Sequence, residues 1–143
     1  METVWVVLLG VLSVGVTAII HYEMLNLSVR VSRRLGIPRH RQVLATIIMI
    51  MIAHVIEVSW YAVVFYMMHD APALGSIGGS FDGSALDYFY YSISSFTTLG
   101  VGDVVPFGPI RVLTGIEALN GLVLIAWSAT FTFASVQRRW DWP

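Results

Sequence analysis

The segment Thr97-Thr98-Leu99-Gly100-Val101-Gly102-Asp103 sets two glycines at alternate positions behind a pair of threonines. Glycine takes left-handed backbone conformations that other residues resist, so alternating glycines let successive carbonyl oxygens point the same way. The carbonyls of Thr98, Leu99, Gly100 and Val101, with the Thr98 hydroxyl, then form a ladder of neutral oxygens able to replace a cation's hydration shell. One chain supplies one wall of such a cage.

A second candidate is the pair His54 and Glu57, three apart and so on one helical face, in the middle of an apolar run. An ionised carboxylate at such a depth costs roughly 2.5 to 3.5 kcal/mol on insertion scales, so Glu57 must be paired, protonated or facing water. A His and Glu pair can supply two metal ligands, but the chain has no second pair of matching spacing and no cysteine, so the reading is a buried structural pair. Glu117 and Asn120, in the last apolar run, read as helix-packing hydrogen bonds behind the Thr97 to Asp103 segment rather than as ion ligands. Gly121 beside them is a candidate hinge, although glycine in a membrane helix more often serves close packing. Activated nucleophiles, phosphate loops and redox motifs are all missing from the sequence, so it does not read as an enzyme.

A carbonyl ladder of this kind needs rigid, low-dielectric surroundings, and the rest of the chain is suited to provide them. Hydrophobic residues make up 57% and charged ones 12%, against roughly 25% charged in soluble domains, and mean hydropathy is +0.75. Thr3 to Ile20, Val43 to Met68 and Leu113 to Val136 are each apolar enough, near the ~20 residues required, to cross a bilayer. The first lacks the basic start and small-residue cleavage site of a signal peptide and reads as a span. His21 to Gln42 reads as an interfacial segment, with Leu25, Val29 and Leu35 among arginines and Gly36 to Pro38 ending it. After the second span, DAPALGSIGGSFDG predicts an irregular exposed loop. Ser84 with Asp87 three residues on is close to a capping box and predicts a helix over Ala85 to Thr97. At about 20 Å it is too short to cross and reads as re-entrant. Its C-terminal carbonyls would aim partial negative charge at a cation, and the backbone beyond it is tolerated at that depth only where protein buries it or it lines a watery cavity. Tyr88, Phe89, Tyr90, Tyr91 and Phe96 would pack around it.

All eight basic residues are arginines. Arg30, Arg33, Arg34, Arg39 and Arg41 fall between the first two spans and Arg138 and Arg139 after the third, which places both regions on the cytoplasmic side by the positive-inside bias. Asp70, Asp82, Asp87 and Asp103 fall in the other connection, outside with the N-terminus. The arginine cluster is a topology and lipid-headgroup signal and not one for nucleic acid. The chain divides into residues 1–42, a first span with its interfacial segment, and residues 43–143, which hold the remaining elements.

TTLGVGD, with a half-helix before it and a full span after it, resembles the pore-loop signature of potassium channels, the TVGYGD type. HVIEVSWYAVVFY together with IEALNGLVLIAWSATF is similar to small bacterial pore-loop proteins with an extra N-terminal helix, over Ala53 to about Gln137. Val101 stands where that family usually has Tyr or Phe, Leu99 where Val or Ile is commoner, and Ala126 where Gly is. The resemblance implies a selectivity filter over Thr98 to Gly102 supported by Thr97 and Asp103, with potassium ions at Thr98, Leu99, Gly100 and Val101 and no other cofactor. One filter segment cannot surround an ion, and four copies under cyclic symmetry complete the ring. The expectation is an all-α integral membrane homotetramer, each chain having three transmembrane helices, a re-entrant pore helix and a filter loop. It would conduct potassium passively, with Val101 relaxing selectivity over sodium, and its partners would be the bilayer and monovalent cations. Two other classes stay open, a membrane subunit of a cation transporter complex and a non-conducting scaffold. No span holds an arginine ladder, which argues against a voltage sensor of the usual kind.

Overall fold

Three long apolar runs become three long helices in the computed structural model, which describes residues 2–69, 71 and 73–137. Asp70, Arg138 and Arg139, which carry part of the charge-based orientation, lie outside the described residues. The elements are α1 (Glu2–Arg34), α2 (Arg39–His69), β1 (Ser76–Gly79), α3 (Ala85–Phe96), β2 (Val104–Phe107) and α4 (Ile110–Gln137). By length and composition α1 from Val4, α2 from Arg41 and all of α4 can each cross a membrane, so the chain is a multi-pass, mostly helical membrane protein.

The first helix continues past the predicted end of the first span. No interfacial break follows Ile20; α1 runs unbroken to Arg34. No helix breaker separates Ile20 from Gly36, and the uncharged polar residues His21, Ser28 and Ser32 share a buried inner face while Glu23, Arg30, Arg33 and Arg34 stay exposed. Ser28 Oγ donates to the Leu25 carbonyl at 2.7 Å. The helix ends at Gly36, whose φ of +59° lets Ile37 N bond back to Ser32 O at 3.1 Å. Pro38 then opens α2, accepting from Arg41 N at 2.8 Å.

α3 is a half-helix lying between α2 and α4. Phe65 meets Tyr91 edge-on with ring centroids 4.9 Å apart, the Tyr91 hydroxyl pairs with Thr114 Oγ1 at 2.6 Å, and Ser92 Oγ donates to the Val58 carbonyl at 2.8 Å. Tyr61, Phe65, Met68, Phe96, Ile110, Leu113 and Leu124 are fully buried around it. Outward-facing positions such as Val11, Ile19, Met51 and Val123 are exposed and apolar, which suits lipid or neighbouring chains. The connection predicted as irregular holds a short sheet: β1 pairs antiparallel with β2, Ser76 opposite Phe107 and Gly79 opposite Val104. Four residues per strand, with Gly78, Gly79 and Pro106 among them, give little periodic signal, which is why the pairing is hard to see in the sequence. The sheet clasps the two ends of residues 80–103 together.

Candidate functional site

Ser84 caps α3 in extended conformation, its side chain accepting from Asp87 N. The box does not close on Ser84. The Asp87 carboxylate instead accepts from Asp82 N at 2.8 Å, and Asp82 Oδ1 accepts from Ser84 N at 2.9 Å. Hydrogen bonding with Asp82, then with Ser84, holds the Asp87 carboxyl below its ordinary range.

At the other end the chain folds back on the helix it leaves. Thr98 N bonds Ser95 O at 2.9 Å, Leu99 N and Gly100 N bond Ser94 O at 2.9 and 3.3 Å, and Val101 N lies 3.5 Å from Ser94 Oγ. Four consecutive amides are thus turned inward. Among the described residues no hydrogen bond reaches the carbonyls of Thr98, Leu99, Gly100 or Val101. The backbone alternates as the glycine spacing predicts, with φ of +56° at Gly100 and +88° at Gly102, and the alternation extends to Thr98 at +59°. A non-glycine residue in that region costs roughly 1 to 2 kcal/mol, strain of a kind that gathers at functional sites. Nothing in the residue type marks Thr98 for it. Residues 97–103 are all exposed, Leu99 to 69% and Val101 to 55%, so this wall has nothing opposite it within one chain.

Asp103 is held from two sides. Its carboxylate accepts from the Tyr90 hydroxyl at 3.0 and 3.1 Å, and its carbonyl accepts from Ser80 N at 2.8 Å. The Asp103 bond raises the Tyr90 phenol above its ordinary value near 10. Behind the segment lies a cavity of about 150 Å³ bordered by Tyr90, Tyr91, Ser94, Val101 and Thr114. Gly121 is where α4 touches the end of α3: a Cβ there would fall inside the Phe96 carbonyl group. Close approach therefore accounts for this glycine, and α4 is continuous helix through it.

The polar residues of the spans link all the helices. Asn120 Nδ2 donates to Thr17 Oγ1 at 2.7 Å and to the Tyr61 hydroxyl at 3.2 Å, joining α4 to α1 and α2. Ser92 Oγ meets Glu117 Oε1 at 2.5 Å, tying α3 to α4. His54 and Glu57 do pair, at 2.8 Å, but within a larger cluster. His21 from α1 bonds the other Glu57 oxygen at 2.9 Å, and Ser128 from α4 sits between the two imidazoles. The imidazole and carboxylate atoms lie within 4.8 Å of one another, and each is engaged in a hydrogen bond. His21 escapes a sequence reading because it sits at the predicted exit of the first span; its place four residues after Thr17 and eight after Ser13, on one polar face of a helix, was the available signal.

A family model described as an ion channel matches residues 53–138, more than half of the chain. The chain is 35% identical over 57 residues to the inward rectifier potassium channel Kirbac3.1 of Paramagnetospirillum magnetotacticum, a stretch that is 39% of this chain and 19% of that protein. It therefore spans about a fifth of the length of that curated relative. No solved structure matches.

Proposed function

The chain belongs to the ion-channel family, and on that premise we propose that four copies form a channel conducting potassium passively through a filter built from Thr98, Leu99, Gly100, Val101 and Gly102. The observation that carries this reading is the half-helix α3 ending at a segment whose amides are bonded inward to Ser94 and Ser95 while its carbonyls remain unbonded and exposed. Carbonyl dipoles left free in a membrane are costly unless something replaces water around them; a file of dehydrated monovalent cations does so. The name of the Kirbac3.1 relative favours potassium among those cations. Thr97, whose hydroxyl donates to the Ile93 carbonyl at 2.7 Å, and Asp103, bonded by Tyr90, support the filter from its two ends.

Four-fold closure supplies the three missing walls. The connection between α1 and α2 and the C-terminus face the cytoplasm in this arrangement, and the filter opens outward beside the β1 and β2 sheet. The test is potassium flux through purified protein in liposomes, native against Gly102→Ala, with subunit stoichiometry read on both. A tetramer that conducts, and a variant tetramer that does not, is the expected pair of results. Equal flux through the two would remove the filter assignment.

A further inference from the structure

His21, His54, Glu57 and Ser128 form a closed circuit of four contacts. Glu57 Oε1 lies 2.9 Å from His21 Nδ1 and Glu57 Oε2 lies 2.8 Å from His54 Nδ1; His54 Nε2 is 3.1 Å from Ser128 Oγ, which is 3.3 Å from His21 Nε2. Three lie in the common hydrogen-bond range and the fourth, at 3.3 Å, is a long hydrogen bond; each needs one proton between its heavy atoms. An ionised carboxylate brings none, two neutral imidazoles bring one each and the serine hydroxyl brings one, which makes three. With three, both imidazoles donate to Glu57 through Nδ1, and two Nε2 lone pairs face a single hydroxyl that can serve one of them. The fourth contact would then be lone pair against lone pair, beside a carboxylate that is fully buried, as His21 is.

We propose that this circuit is a binding site for one excess proton at the junction of α1, α2 and α4. The fourth proton completes the ring wherever it resides: carboxylate with one imidazolium, or carboxylic acid with two neutral imidazoles, give the same count and the same charge. That charge is zero with the proton and −1 without it. An uncompensated ion buried in low dielectric costs several kcal/mol even after relaxation, so burial itself selects the protonated circuit. A divalent cation beside the same carboxylate would leave +1, which makes the proton the better ligand.

The ionisable surroundings are sparse. From α1 only His21 faces the circuit, and from α2 His54 and Glu57, with Tyr61 the next titratable group along that inner face and bonded to Asn120. α4 presents Ser128 and the Trp127 ring, 5.2 Å from that of His21, while Glu117 on the same helix is engaged with Ser92. α3 presents the Phe96 ring, 5.7 Å from the His54 ring, and no titratable side chain among the described residues. Phe96 is the last residue of α3, directly before Thr97. The proton therefore fixes α1 to the two helices beside it and backs the residue from which the filter segment departs.

The test is histidine-selective 15N spectra and carboxyl infrared spectra of the full chain in lipid bilayers near neutral pH, for the native protein, Glu57→Gln, His21→Gln and His54→Gln. The native protein is expected to show one of two equivalent signatures: an imidazolium assigned by its loss in a histidine variant, or a carboxylic-acid carbonyl band lost in Glu57→Gln. In Glu57→Gln any imidazolium should disappear as well, since the charge it balances is gone, an effect that packing alone would not produce. Two neutral imidazoles with no Glu57-dependent acid band in the native protein would overturn the proposal, and that reading needs no variant to fold. So would retention of one zinc ion per native chain that His21→Gln abolishes.

Discussion

Gly100 and Gly102 differ in a way that separates their substitutions. The left-handed well open to L-residues spans φ of roughly +50° to +70°, so alanine at Gly100, with φ of +56°, enters it at about 1 to 2 kcal/mol, as Thr98 already does. At Gly102 φ is +88°, outside that well. Gly102→Ala should abolish potassium flux and Gly100→Ala should reduce it less; initial rates of potassium uptake into liposomes rank them, and the opposite order would contradict the backbone argument. Val101 borders the cavity behind the proposed filter, where a tyrosine ring could brace the wall. A hydrogen bond contributes about 0.5 to 1.5 kcal/mol net, so its absence in every copy should leave weak discrimination between potassium and sodium. Val101→Tyr is expected to shift the bi-ionic reversal potential toward potassium; no shift would mean that the cavity does not limit selectivity. Tyr90 gives a pH prediction. Because its folded pKa is raised, by Asp103, the link is whole below the ordinary tyrosine value near 10 and is lost as pH rises through the higher folded value. The phenolate difference spectrum of native protein minus Tyr90→Phe should therefore titrate above 10, and titration at or below 10 would count against the Asp103 bond.

Among the elements, α1 joins the others through buried apolar residues such as Val6 and through polar contacts that include His21 to Glu57 and Thr17 to Asn120. Interhelical hydrogen bonds in membranes average about 0.6 kcal/mol, so Asn120→Leu, which removes two, should destabilise by roughly 1 kcal/mol and keep most flux. Gly121→Ala, forced against the Phe96 carbonyl, should lower the thermal midpoint of the solubilised protein more than Asn120→Leu does; equal midpoints would mean that α4 does not press on α3 there. The elements themselves were largely legible. Long apolar runs fixed three spans, and Ser84 with Asp87 marked the start of α3 to the residue, because capping chemistry is local. What was not legible depended on contacts distant in sequence. His21 looks like the end of a span until Glu57 is placed opposite it, and Ser76 to Gly79 looks like loop until Val104 to Phe107 pairs with it. Ser94, whose carbonyl and hydroxyl gather the amides of Leu99, Gly100 and Val101, carries no mark in its own sequence neighbourhood, since its role appears only once the chain turns back at Thr98.

For the whole molecule, the proposed channel places further copies opposite the exposed 97–103 segment, and the positive-inside bias of the arginines is the ground for its proposed orientation. The native chain has no cysteine, so single cysteines report orientation cleanly. Ser80→Cys, beside the filter, should react with an impermeant thiol reagent from outside intact cells, and Leu35→Cys, 72% exposed at the turn after α1, only after permeabilisation. The reverse pattern would invert the filter. The most direct measurement is potassium movement through the purified native chain reconstituted alone into liposomes under a potassium gradient, with no energy source supplied. Flux down the gradient, missing from protein-free vesicles and from Gly102→Ala, is the expected result. Native vesicles holding intact tetramers yet no leakier to potassium than protein-free ones would contradict a passive potassium channel.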